Sequence, residues 1–200
     1  REALGGFWKQ RQIILRSGSP LHIEDLGRVN FRKAGVIILT GADFAAGASS
    51  IMDTRTVKSL LSISAFTRNT PDDPLPPVVA ELFDAQKIPI ATSAYPGEIS
   101  VIPGDSLISR LLAQNVRHQG LSHIYAELLS YSERNQIYIR ELPQLTGHPV
   151  AALHPLFPKA ILMGVLRESP QGPVPFLNPA GGFITEQGDL FVLLAESYED

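Results

Sequence analysis

Residues 35–41, GVIILTG, form an unbroken apolar run that ends in a threonine and a glycine. Such a run is typical of a parallel β-strand that is covered on both faces, and the glycine indicates a turn at the strand's carboxyl end. In α/β proteins, ligands bind outside the carboxyl ends of the strands, often on a glycine-rich loop that holds a phosphate. The first question is therefore whether Gly41 opens a dinucleotide site.

The residues after Gly41 do not form such a loop. A dinucleotide loop needs glycines at fixed spacing, because they permit a tight turn and a close approach of the backbone to the pyrophosphate. Gly41 is followed by ADFAAG, which completes neither G-x-G-x-x-G nor the T-G-x-x-x-G-x-G pattern of short-chain dehydrogenases. We therefore predict that 35–41 is a middle strand with a polar exit loop.

The composition indicates a soluble globular chain. Its 200 residues are 44% hydrophobic and 18% charged, which suits one large domain or two small ones. The net charge of −3 argues against a nucleic-acid partner, and without cysteine there is no disulfide, zinc thiolate or cysteine nucleophile. No apolar run approaches the roughly 18–20 residues of a membrane span. Because the chain begins REALGGFWKQRQ, with no initiator methionine or signal-peptide core, we expect it to be part of a longer protein.

Around the first strand, short apolar segments alternate with helical ones. Residues 13–18 and 78–83, together with IPIATSA at 88–94, are predicted to be strands. One helix is predicted to follow Ser19 as its N-cap, and another to cover TRTVKSLLSISAF at 54–66. The alternation predicts an α/β fold with a right-handed, doubly wound parallel sheet of the Rossmann type.

The chain changes character near residue 135. From there, short strands are joined by proline and glycine turns with little helix between them: QIYIREL at 136–142, KAILMGVLRE at 159–168, PVPFLNP at 173–179 and DLFVLLAE at 189–196. We predict a first lobe over 1–134 and a small α+β lobe over 135–200, with the boundary near Arg134.

Patterns for catalysis or metal binding are weak. GASSI at 47–51 lacks the second glycine of a nucleophile elbow. Asp72 and Asp73 lie in a proline-rich loop, where carboxylates are usually only solvated, although such a loop can also chelate Ca²⁺ through oxygen. Both interpretations of this pair stay open. No metal-ligand spacing relates the five histidines, His22, His118, His123, His148 and His154.

Two apolar stripes at helical spacing lie within residues 104–131. They consist of Leu107, Ile108 and Leu111 on a first helix, and of Leu121, Ile124 and Leu128 on a second helix that follows Gly120. A helix–turn–helix between two lobes either packs on its own chain or pairs with a second copy of itself. The residues leave both possibilities open.

The order of these parts resembles the regulator-of-potassium-conductance (RCK, TrkA-type) domain and, within that group, the CASTOR/POLLUX-like ion channels. The similarity covers nearly the whole chain and is carried by AGVIILTG, DTRTVKSLLSI, PPVVAELFD and ISVIPGDSLISRLLAQ. Residues 176–197, FLNPAGGFITEQGDLFVLLAES, resemble the closing hairpin of the TrkA C-terminal lobe. There a Gly–Asp pair, here Gly188 and Asp189, precedes the final strand.

The resemblance implies a Rossmann-like sheet that lacks its first strands, followed by a TrkA-C-like lobe. In the family the glycine loop follows the first strand and an acidic residue ends the second, and both would precede Arg1. GVIILTG would then be the fourth strand. Its exit loop, formed by Gly41, Ala42, Asp43 and Phe44, would face a ligand held mainly by residues outside this chain.

The resemblance also implies a function without enzymatic activity. The chain would be a cytoplasmic, ligand-sensing gating-ring module of a cation or potassium channel. Its partners would be further copies of itself, joined through crossover helices at about 104–131, and a pore domain upstream. The ligand stays unknown; Ca²⁺ and a nucleotide are both candidates, although no intact dinucleotide loop is present.

Two other functions stay open. One is a soluble TrkA-like nucleotide-binding subunit that docks on a separate potassium transporter. The other is the back part of an NAD-dependent oxidoreductase. That enzyme would need a histidine or a lysine–tyrosine pair at the carboxyl end of a strand, and the sequence shows none there.

Overall fold

The chain divides into two compact units, which separate between Ala113 and Gln114. A computed structural model describes residues 13–41, 49–67, 75–130, 135–170 and 172–198. Within them, the first unit contains a three-stranded parallel sheet and the second a four-stranded antiparallel one. The predicted mixture of α/β and α+β architecture is confirmed at this level, and the lobe boundary near Arg134 stays a prediction.

Helices and strands alternate along the first unit. They are α1 (Ile23–Arg28), β1 (Ile37–Leu39), α2 (Ser49–Thr67), β2 (Val78–Leu82), α3 (Ile88–Ala94) and β3 (Ile99–Pro103). The next helix, α4 (Gly104–Arg117), begins directly after β3. β2 lies between β1 and β3, and all three strands run parallel, so their carboxyl ends share one edge of the sheet.

One face of this sheet forms the core of the first unit. Val78, Ala80 and Leu82 point to the same face of β2 and pack with buried residues of α2 and α3, among them Leu60 and Ile63. On the other face of the sheet, Ile38 is 66% exposed. β1 is thus covered on one face within the described residues, and not on both as its apolar sequence predicts, because α2 and α3 both pack on the opposite face from Ile38.

The prediction of a strand at 88–94 is wrong, because these residues form α3. Pro89 stands in the first helical turn, where the backbone N–H has no partner within the helix, so proline is accepted there. Ala91 and Ala94 both face the core, a spacing of three that a strand's alternation does not give. A run of seven residues was too short for its periodicity to separate helix from strand.

The prediction of a strand at 13–18 is also wrong, since these residues pair with no strand in the described part of the chain. The segment is instead held at its end, where the Ser19 N–H donates to Asp25 Oδ2 at 2.9 Å. The helix that follows begins at Ile23 with His22 in the N-cap position. Ser19 therefore stabilises the turn before α1 and does not cap the helix.

The second unit is organised around its last strand. α5 (Leu121–Leu129) is followed by β4 (Gln136–Glu141), α6 (Val150–Leu153), β5 (Ile161–Arg167), β6 (Val174–Leu177) and β7 (Leu190–Ala195). The sheet order is β4-β7-β5-β6. All four predicted strands are present. The core of the second unit lies between α6 and one face of the sheet, with Phe191 and Leu193 of β7 at its centre.

The closing hairpin predicted over 176–197 does not form. β6 pairs with β5, and β7 inserts between β4 and β5. Pro175 lacks the N–H that a central strand must donate on both sides, so β6 suits an edge. The apolar LFVLLA of β7 is largely buried and takes the centre. Gly188 and Asp189 do precede this strand, as the resemblance implies.

A single arginine fixes the loop between β6 and β7. Arg167 donates two hydrogen bonds of 2.8 Å to the two carboxylate oxygens of Asp189. Its guanidinium also lies 4.8 Å from the centre of the Phe183 ring. Burial opposes ionisation of Asp189, but the bonds from Arg167 and from the Glu186 amide outweigh it and lower the pKa of the carboxyl. Asp189 is therefore a charged anchor inside the second unit.

Candidate ligand site at the carboxyl edge of the parallel sheet

A cavity of about 390 Å³ opens where β1 ends beside the first turns of α2. This volume falls within the range of small-molecule sites, about 300–1,000 Å³. Of the predicted loop, Gly41 lines the cavity, whereas Ala42, Asp43 and Phe44 lie outside the described residues. Its wall is formed by Pro20, Ile38, Leu39, Thr40, Gly41, Ile51, Met52, Arg55, Thr56 and Ser59.

Gly41 is held by a carboxylate. Its N–H donates to Glu81 Oε2 at 2.9 Å, across the end of the sheet from β1 to β2. A Cβ atom on Gly41 would lie 2.8 Å from the Phe83 ring, so any side chain here would displace that ring. The glycine that ends GVIILTG is thus required by close packing. Its N–H is already occupied, and the carboxylate beside it repels a phosphate.

The sequence analysis missed Glu81. The residue is the lone charged side chain of β2, one position before the strand ends, and it points away from the core formed by Ala80 and Leu82. A carboxylate near the end of an otherwise apolar strand, VVAEL, was the signal that could have identified it. A carboxylate at the strand ends accepts hydrogen bonds from hydroxyl groups and binds cations.

A second carboxylate anchors the helix that forms one wall of the cavity. Asp53, on α2, is 1% exposed and accepts hydrogen bonds from the amides of Phe83 (2.8 Å) and Asp84 (3.2 Å) and from Lys87 Nζ (2.8 Å). Burial opposes its ionisation, but the bond from Lys87 and the two amide bonds outweigh this and lower the pKa of Asp53. These bonds hold the start of α2, and with it Met52 and the cavity wall, against the loop after β2.

The predicted calcium pair, Asp72 and Asp73, lies outside the described residues, and its role stays a prediction. Within the described ranges, no three histidine, aspartate or glutamate side chains come together as a metal site would require. The polar groups of the cavity wall are those of Thr40, Gly41 and α2, and the half-buried Glu81 lies behind Gly41, whose N–H it accepts.

The two predicted apolar stripes lie on α4 and α5, and neither helix has a buried residue. Ile108 is 56% exposed, and Leu107 and Ile124 are exposed as well. The other three members of the stripes, Leu111, Leu121 and Leu128, are half-buried. The stripe on α4 extends further than predicted, to Leu112 and Val116, and Val116 is 85% exposed. Spacings of four residues place Ile108, Leu112 and Val116 along one face of the helix.

Comparison with known sequences shows what this chain is similar to. Residues 105–200 match the family described as "Castor and Pollux, part of voltage-gated ion channel". The probable ion channel POLLUX of Arabidopsis thaliana is 30% identical over 92% of this chain, and the ion channel CASTOR of Lotus japonicus is 30% identical over 94%. This chain is related to the CASTOR and POLLUX ion channels. The resemblance found in the sequence is thereby confirmed, and these relatives are named ion channels, not enzymes.

The chain spans 21% of the length of each of these two relatives. No helix in the described part of the chain is both long and apolar enough to cross a membrane.

Two solved structures are similar at lower identity. The crystal structure of the GsuK RCK domain is 16% identical, with a TM-score of 0.41, and the match covers 94% of this chain and 36% of that one. The GsuK channel bound to NAD is 17% identical, with a TM-score of 0.39, and the match covers 94% and 30%.

Proposed function

We propose that this chain is the ligand-sensing regulatory module of a cation channel, on the cytoplasmic side of the membrane, with the pore elsewhere in the full-length protein. The observation that carries the proposal is the relationship to CASTOR and POLLUX channels over more than nine tenths of the chain. The structure supports it with two features such a module needs. One is a cavity at the carboxyl edge of a parallel sheet, and the other is a pair of helices with uncovered apolar stripes.

The strand order supports the proposal that the parallel sheet is the second half of a Rossmann-like fold. In that fold, strands four, five and six follow one another in space as they do in sequence. β1, β2 and β3 have this order, and α2 and α3 pack on the same face. Strands that complete the fold would pair along the outer edge of β1, beside Gly41, and would supply the rest of the ligand site.

The exposed stripes support self-association through α4 and α5. In an isologous contact each apolar side chain is buried twice, once on each subunit. Burying an aliphatic side chain contributes about 1.5–3 kcal/mol, so three or four residues on each side would suffice for a stable dimer. Gating would follow as a population shift, effective only to the extent that the ligand binds one arrangement of the subunits better than the other.

Association is tested on α4 with Ile108→Asp. We expect the dimer to dissociate at micromolar concentration in sedimentation velocity while the circular-dichroism spectrum is unchanged, because Ile108 is 56% exposed in the single chain. The control is Gln114→Asp, which adds the same charge to the same helix at an exposed polar position. A wild-type chain that stays monomeric at high concentration would refute assembly through these helices.

Ligand binding is tested by a thermal-shift screen of the chain against CaCl₂, MgCl₂, ATP, AMP and NAD. A ligand at a hundredfold excess over its Kd stabilises the folded state by about 2.7 kcal/mol. Glu81 leads us to expect stabilisation by a cation, or by a ligand that offers hydroxyl groups at Gly41. Phosphate groups would have to bind farther along the cavity, near Arg55. The absence of any shift would argue against a sensor in this chain.

A TrkA-like subunit on a separate transporter remains the second candidate. The same cavity and the same helices would serve it, so the difference lies in the residues upstream. A pore segment in the same polypeptide would support the channel module, and a free amino terminus would support the separate subunit.

A further inference from the structure

We propose that Glu81 is a positioning residue that couples Gly41, at the end of β1, to the start of α4. The inference rests on the proposed function for the roles of Gly41 in ligand binding and of α4 as a crossover helix. Its geometry is independent of that function. One side chain, on the central strand of the sheet, lies against the ends of both neighbouring strands.

The first contact is with β1. Glu81 Oε2 accepts the Gly41 N–H at 2.9 Å, and this is a charge-assisted bond to a buried glycine. The Phe83 ring, two residues farther along the same chain, closes the space around Gly41. In the described part of the chain, Glu81 and Phe83 therefore fix the exit of β1 to the end of β2.

The second contact is with the junction of β3 and α4. The other carboxylate oxygen, Oε1, lies 3.6 Å from the position that a Cβ atom would occupy on Gly104, the first residue of α4. A carboxylate at this place is stabilised by the amino end of the helix and stabilises it in return. Glu81 thus lies beside the first residue of α4 with one carboxylate oxygen and accepts a hydrogen bond from Gly41 with the other.

The junction itself transmits movement. β3 ends at Pro103 and α4 begins at Gly104, so no loop absorbs a displacement between sheet and helix. A ligand that draws the carboxylate away from the Gly41 N–H also moves its charge relative to Gly104. The position of the Glu81 side chain would then link two properties: ligand binding beside Gly41 and the stability of the first turns of α4.

Amide hydrogen exchange of the ¹⁵N-labelled 200-residue chain, without ligand, tests the coupling. In Glu81→Ala we expect the Gly41 amide to exchange at least about tenfold faster, because its charged acceptor is lost. In a helix that begins at Gly104, the amide of Ile108 is the first to bond to a carbonyl of the helix itself. We also expect this amide and those of the next residues of α4 to exchange about two- to fivefold faster. Faster exchange at Gly41 with unchanged exchange on α4 would overturn the proposal.

A second variant separates charge from shape and also serves if Glu81→Ala fails to fold. Glu81→Gln keeps an oxygen for the Gly41 N–H but removes the charge, so α4 should lose protection while Gly41 keeps most of its own. Equal protection of α4 in Glu81→Gln and wild type would contradict the proposed role of the charge. The matched control is Glu98→Ala, an exposed glutamate just before β3 at the opposite edge of the same sheet, which should change neither amide.

Titration with CaCl₂ and with NAD distinguishes a failure of the Glu81 coupling from a failure of the proposed ligand-sensing function. If either probe binds wild type, it should alter exchange on α4 in wild type and not in Glu81→Gln. The same change in both proteins would overturn the coupling while leaving a ligand sensor in place. If neither probe binds, the proposed sensor loses support, and the ligand-free exchange experiment still decides whether Glu81 links Gly41 to α4.

Discussion

Among the described residues, each of the two units buries one aspartate, Asp53 and Asp189, and the two are neutralised differently. In the first unit, Asp53 accepts two backbone amides and the single ammonium group of Lys87. In the second, Asp189 accepts one amide and the Nε and Nη2 groups of the Arg167 guanidinium, which also stacks on an aromatic ring. Asp53 therefore shares its charge between one cation and two backbone amides, whereas Asp189 depends mainly on one side chain.

The difference fits the position of each residue. Asp53 joins the start of α2 to the loop after β2, next to the cavity, where amides are available at the end of a strand. Asp189 precedes a central strand and lies at the end of a long loop. There the planar guanidinium of Arg167 offers two hydrogen-bond donors in a fixed arrangement that matches the carboxylate. The comparison suggests that the second unit depends more on a single ion pair than the first.

Removing the second anchor should have the largest effect. We expect Asp189→Ala to lower the free energy of unfolding by about 3–5 kcal/mol, because Arg167 would keep its charge without its buried partner. Urea denaturation followed by circular dichroism measures the loss. Glu186→Gln is the matched control, since Glu186 also pairs with Arg167 but is 65% exposed, and should cost less than about 1 kcal/mol. Similar losses for the two variants would remove Asp189 from its role as anchor.

Exchanging the two cations should sharpen the contrast. Arg167→Lys should cost about 2 kcal/mol, because one charged hydrogen bond to Asp189 and the stacking on Phe183 are lost. Lys87→Arg should cost less than about 1 kcal/mol, because Asp53 keeps its two amides and the Lys87 side chain is already 27% exposed. The same denaturation experiment compares them, and a larger loss for Lys87→Arg would reverse our interpretation.

The pH dependence of stability should give the smallest effect. Both aspartates have a pKa below the ordinary value of 3.8 in the folded state. A lowered pKa contributes stability that is present above the unfolded value and is lost as the pH falls through the folded value. Stability should thus fall below about pH 4. In Lys87→Met the fall between pH 5 and pH 3 should be smaller, because Asp53 has lost the cation that lowers its pKa. Parallel curves for variant and wild type would show that Lys87 contributes nothing to this shift.

The sequence predicted those elements whose pattern was long or unambiguous. Residues 54–66 of α2 and the strands of the second unit were predicted because helical spacing or β-branched runs extend through them, whereas the first five residues of α2, from Ser49, were not. IPIATSA was assigned wrongly because its seven residues fit both a strand and a short helix, and Pro89, which favours the first helical turn, was not weighed. The pairing of β7 with β4 could not be predicted, since alternation within a strand does not identify its neighbours.

The candidate site was predicted only in part, for a physical reason. Gly41 was identified because a strand that ends in glycine marks the sheet edge where ligands bind. Glu81 and Asp53 were missed because their roles depend on which strand end and which helix they meet, at separations of 40 and about 30 residues. Only the folded chain brings those partners together.

The central place of β7 affects how the protein is made. The strand that completes the second sheet is the last to be synthesised, and its partner β4 lies more than fifty positions earlier. Until Leu190–Ala195 has left the ribosome, β4 has no neighbour in the described sheet and the β5–β6 hairpin is open on the β5 side as well as on the β6 side. Such edges pair readily with other chains. A nascent chain of this kind would therefore benefit from a chaperone until its closing residues emerge.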